Sequence, residues 1–71
     1  MRFVADEGMT EVEAQRLARL VAEASGHPVA VVPDPPFFVV EVRRATAEMT
    51  ETYTLYDDAD WGWLRERIVA P

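Results

Sequence analysis

Phe37-Phe38-Val39-Val40-Glu41-Val42-Arg43-Arg44, FFVVEVRR, is the stretch whose reading decides the fold. Two aromatics and three valines followed by charge suit a pleated, half-buried surface, so the segment reads as the central strand of a small sheet. Alternation puts Phe38, Val40 and Val42 on one face and Phe37, Val39, Glu41 and Arg43 on the other. The first set is expected to meet a helix. Neither this stretch nor the rest of the chain contains a catalytic or metal motif that names an activity.

Before it, Asp34-Pro35-Pro36 makes a stiff turn, and Val29–Val32 is a four-residue apolar run between Pro28 and Pro33. Because proline cannot donate to a ladder, both ends of that run read as strand ends, and the pair as an antiparallel hairpin. After it, Ala45–Glu48 must reverse the chain without Gly or Asn, which predicts a helical-type turn or a bulged loop. Met49–Tyr56 then alternates strictly. Met49, Glu51, Tyr53 and Leu55 share one face, and Thr50, Thr52, Thr54 and Tyr56 form a second, wet one.

Helices flank the strands. Thr10 followed by Glu13 is a capping box, with Met9 and Ala14 spaced as its hydrophobic staple. From there Ala14, Leu17, Ala18, Leu20, Val21 and Ala24 fall on one side, against Gln15, Arg16, Arg19 and Glu23 on the other. Ser25-Gly26 before Pro28 ends this helix at about Ser25. A second helix is expected from Asp57, Asp58 and Asp60, whose carboxylates suit a helix start, to about Val69. Trp61, Leu64 and Ile68 make its apolar stripe, while Trp63 and Arg67 lie off it. Arg2–Ala5 reads equally as a short edge strand or a loose terminus.

The expected fold is thus a single α+β domain spanning residues 1–71. It has a three-stranded antiparallel sheet, with a fourth short N-terminal strand as an option, a covering N-terminal helix and a C-terminal helix. The helix-strand-strand-strand-helix order resembles the double-stranded-RNA-binding domain in outline. That family holds the RNA backbone with basic residues at the start of its second helix, where this chain has Asp57, Asp58 and Asp60, so its function is not carried over.

Seventy-one residues bury only roughly 60% of their unfolded surface. With no Cys, packing alone must hold the domain unless it self-associates. Thirteen acids against seven bases, all of them Arg, give a net charge of −6. That sign argues against direct nucleic-acid binding. No apolar run approaches a membrane span, and Met1–Ala5 is too short for a signal-peptide core, so a cytoplasmic location is expected.

Individual chemistries fare poorly. His27 and Ser25 sit beside a helix C-cap, where a nucleophile and its base seldom converge. Asp57-Asp58-Ala59-Asp60-Trp61-Gly62 imitates the start of a calcium loop, but Ala59, Trp61 and Ile68 stand where oxygen ligands are needed. A carboxylate pair for glycoside hydrolysis would have little room for a substrate cleft in so small a domain. No enzyme activity, cofactor or metal is expected. The acids of the first helix, Glu11 and Glu13, with Asp6 and Glu7 before it, read as capping and dipole matching.

The remaining signal is a surface. Glu48, Glu51, Asp57, Asp58 and Asp60 lie in a stretch without a base, followed at once by two tryptophans. The plain reading assigns the aspartates to capping, the glutamates to a solvated face and both indoles to the core. The functional reading makes these five acids and Trp63 a partner-binding patch, in which the acids steer a basic protein and the indole anchors it.

In size, charge and layout, though by no motif, the chain resembles small phage-encoded anti-CRISPR inhibitors. That resemblance implies an acidic DNA mimic occupying a nucleic-acid-binding surface of an effector complex. Its rivals are a homodimeric assembly module, closed through Trp63, the Thr50-Thr52-Thr54 face or an edge strand, and an immunity or antitoxin protein against a basic nuclease.

Overall fold

The computed structural model describes residues 8–69. They form α1 (Glu11–Ser25), β1 (Val29–Asp34), β2 (Phe37–Ala45), β3 (Thr50–Leu55) and α2 (Asp58–Ile68). The sheet is antiparallel in the order β1-β2-β3, with FFVVEVRR in the middle. The expected α+β class, sheet and flanking helices are therefore present. Arg2–Ala5, the optional fourth strand, lies outside the described residues.

Register explains the layering. Val42 stands between Val29 and Tyr53, and Val40 between Val31 and Leu55. One sheet face thus carries apolar residues from all three strands. Ala14, Leu17 and Val21 of α1 and Trp61 and Leu64 of α2 close over it, with Met9, to form one buried core. α1 packs over β1 and β2, while α2 packs against β3 and α1. On the far face Thr50, Thr52 and Thr54 are exposed, as alternation predicts. Val39 also lies on that far face, yet it is only 6% exposed.

α1 follows its capping signals closely. Glu13 N–H donates to Thr10 Oγ1 at 3.2 Å, and Thr10 N–H donates to Glu13 Oε1 at 2.9 Å. Gly26 takes the left-handed conformation (φ 75°) that ends the helix. Ser25 Oγ reinforces the end by donating to the Val21 carbonyl (2.7 Å) and accepting from His27 N–H (3.1 Å). The predicted apolar side is too wide, however. Leu20 is 51% exposed and Ala24 is exposed as well, because the sheet and α2 reach only the Ala14-Leu17-Val21 line.

One further reading needs correction, and one turn acquires its cause. β1 does not stop at Val32 but continues through Pro33 to Asp34. Arg43 N–H donates to the Pro28 carbonyl at 3.0 Å. Antiparallel alternation then turns the backbone groups of Ala30, Val32 and Asp34 towards β2 and those of Val29, Val31 and Pro33 outwards. The donor that Pro33 lacks would have faced away from β2, so the β1–β2 ladder loses nothing. At the β2–β3 connection the turn-forming group is Thr46. Its Oγ1 accepts from Glu48 N–H (3.3 Å) and Met49 N–H (3.0 Å) and donates to the Met49 carbonyl (2.9 Å). A threonine hydroxyl does here what Gly or Asn does elsewhere.

Candidate functional site

Both helices start at the same end of the sheet. Phe38 N–H donates to the Met9 carbonyl at 3.0 Å, which fixes the entry to α1 beside the start of β2. Leu55, which pairs with Val40, delivers the chain to α2 just alongside. The approach is tight: a Cβ on Gly8 would lie 2.5 Å from the Phe37 ring, so this crossing needs glycine.

The α2 start is held by its own carboxylates. Asp57 Oδ1 accepts from Asp60 N–H at 3.0 Å, and Asp60 Oδ2 accepts from Tyr56 N–H at 2.7 Å. The first bond satisfies a donor that the helix N-terminus leaves without an intrahelical partner, and the second ties the residue before the cap back onto the first turn. Asp58 is exposed and takes no part in that exchange. The calcium-loop imitation is thereby accounted for, and no cluster of three or more metal-ligating side chains occurs among the described residues.

Asp57 and Asp58 line a groove of about 620 Å³ between α1 and the start of α2. Met9, Leu17, Leu20 and Trp61 supply its apolar surface, and Glu13 and Arg16 stand on the α1 side. Each helix N-terminus carries roughly half a positive charge. The caps and first turns hold Asp57, Asp58 and Asp60 on α2 and Glu11 and Glu13 on α1. Five carboxylates outweigh the two dipole ends and Arg16, so the described residues at this end carry a net negative charge.

The sequence-predicted acids do not form one patch. Glu48 sits in the β2–β3 turn and Glu51 at the adjoining end of β3, whereas the aspartates follow the other end of that six-residue strand, about 20 Å away. Glu51 is also engaged, lying 3.5 Å from Arg44 and accepting from the Tyr53 hydroxyl at 2.7 Å.

The two tryptophans separate as the helical spacing predicts. Trp61 is 7% exposed and Trp63 is 56% exposed. The Trp63 ring is not bare, for the Arg67 guanidinium lies over it, 5.0 Å from its centroid. Two residues along a helix amount to about 200°, so Trp63 faces away from the groove that Trp61 lines. Sequence reasoning missed Leu20 and Glu13 as site residues. Both appeared in α1 patterns that core packing and capping already explained, and only the position of α2 brings them beside Asp57.

No family model, curated protein or solved structure matches this chain. No helix among the described residues is long and apolar enough to cross a membrane.

Proposed function

We propose that this chain is an acidic interaction module that occupies a basic, nucleic-acid-binding surface of a partner protein. Asp57 and Asp58, beside the groove, stand in for phosphates, while Glu48 and Glu51, about 20 Å away, add only to the field that steers the partner, and Trp63, under Arg67, faces away from the groove. The observation that carries this reading is the exposure of Glu48, Asp57 and Asp58 in a chain of net charge −6, with Arg44–Glu51 the one ion pair among the described residues. Carboxylates left facing water keep their long-range field and can steer a cationic partner. The resemblance to anti-CRISPR inhibitors puts a CRISPR effector complex first among such partners.

The test is capture of the partner from a host lysate on immobilised protein, followed by elution with duplex DNA. The proposal expects DNA and added salt each to release the captured protein, since both compete for one basic surface. Retention in the presence of both would overturn it.

A homodimer is favoured by a different observation. Thr46 N–H donates to the Met49 carbonyl, so alternation turns the backbone groups of Thr50, Thr52 and Thr54 outwards, where no described residue pairs with them. Sedimentation decides this reading: it requires a mass of two chains that salt does not alter.

A further inference from the structure

The groove between α1 and the start of α2 combines features that no other described surface combines. Its floor is apolar, and Leu20 leaves half its surface open there although Ala14, Leu17 and Val21 of the same helix are buried. Its walls are acidic on both sides, with Glu13 on α1 and Asp57 and Asp58 on α2, against the single Arg16. At about 620 Å³ it falls within the roughly 300–1,000 Å³ range of specific binding clefts.

We propose that this groove receives a short basic segment of another protein, which places one large apolar or aromatic side chain between α1 and α2 with arginines on either side. The inference rests on the acidic-module reading and names the part of the surface that does the gripping. A wholly apolar occupant would take carboxylates out of water without pairing them. A wholly cationic one would satisfy the rim and leave Leu20 uncovered. Acidic segments are repelled by the five carboxylates of the two helix starts. A segment carrying both an apolar anchor and flanking guanidinium groups meets all three constraints, and guanidinium forks match carboxylates in pairs.

Competing surfaces lack one half of this combination. Trp63 already has Arg67 stacked on it, and the Glu48–Glu51 end has an internal arginine and no apolar groove. The Thr50-Thr52-Thr54 edge offers backbone groups without a side-chain anchor.

The probe is a fluorescein-labelled peptide of four arginines around a central Leu-Trp pair, titrated into the isotopically labelled full chain and followed by anisotropy and amide shifts. A second peptide replaces the Leu-Trp pair with Ser-Ser. Expected are shifts at Glu13, Leu17, Leu20 and the Trp61 indole and binding at least about tenfold weaker for the Ser-Ser peptide. Leu20→Asp, at an exposed position, should cost a similar factor, and Asp58→Arg should both weaken binding and flatten its salt dependence.

Absence of binding at low salt overturns the proposal, as do shifts centred on Trp63 or β3. Salt-sensitive binding that ignores both Leu20→Asp and the Ser-Ser exchange sinks the groove and leaves the acidic-module reading standing. Contacts from residues 1–7 to Leu20 and Trp61 in the free protein would make the occupant this chain's own N-terminus and refute a foreign segment. Loss of DNA-driven release in the lysate experiment, with peptide binding intact, would instead remove the nucleic-acid-surface reading alone.

Discussion

Trp61 and Trp63 are the same residue two positions apart on α2, and they do opposite things. Trp61 points inwards, fills the junction of both helices and the sheet and lines the acidic groove. Trp63 points outwards, with its ring under Arg67. The acids divide along the same lines. Asp57 and Asp58 border a groove floored by Trp61 and leucines, whereas Glu48 and Glu51 stand at the far end of β3, where Arg44 and Tyr53 engage Glu51. Carboxylates gain meaning from what lies behind them, and that differs between two groups the sequence presents as one run.

The comparison breaks most visibly at the indoles. Trp61→Ala should destabilise the domain by about 3–5 kcal/mol, comparable to the whole stability of a domain this small, and leave it largely unfolded by circular dichroism. Trp63→Ala should cost at most about 1 kcal/mol, the worth of an exposed cation–π contact, and leave the spectrum unchanged. Equal costs for the two would refute the inward–outward assignment.

Gly8→Ala comes next, because its Cβ must displace the Phe37 ring at the point where the chain enters α1. About 1–3 kcal/mol is expected in urea melts, and a neutral result would mean that the crossing is looser than described. The acids give the smallest differences. Asp57→Ala removes a helix cap and should cost about 1 kcal/mol. Glu51→Ala loses a half-exposed ion pair and a hydroxyl contact, and should cost below about 1 kcal/mol. If Glu51→Ala proved the costlier change, the two acidic ends would have been assigned the wrong way round.

Much of the fold was legible because its signals are local. Thr10, Glu13 and Gly26 mark the ends of α1 by bonds that span four residues at most, and period-2 alternation separated Val40, Val42, Tyr53 and Leu55, which face the helices, from the exposed Thr50, Thr52 and Thr54. Pro33 misled because whether a missing donor matters depends on which edge it faces, which is known only once β1 has paired. Thr46 was overlooked because its hydroxyl makes the turn without a glycine. Leu20 sits on the predicted apolar side, yet its exposure depends on how far α2 reaches, which no periodicity in α1 records. The same holds for the site: five acids in a row of residues look contiguous until β3 extends and separates them. Reversing Asp57, Asp58 and Asp60 together would confuse charge with capping, since Asp57 and Asp60 hold the start of α2.

The most direct measurement therefore reverses one exposed carboxylate at each end, Asp58→Arg and Glu48→Arg, and compares the two variants with the unaltered chain in partner capture across a salt series. Asp58→Arg should lose most of the captured protein and much of the salt dependence, with Glu48→Arg close to the unaltered chain and all three spectra alike. Capture that survives Asp58→Arg, or that falls equally for both reversals, would contradict an acidic groove as the gripping surface.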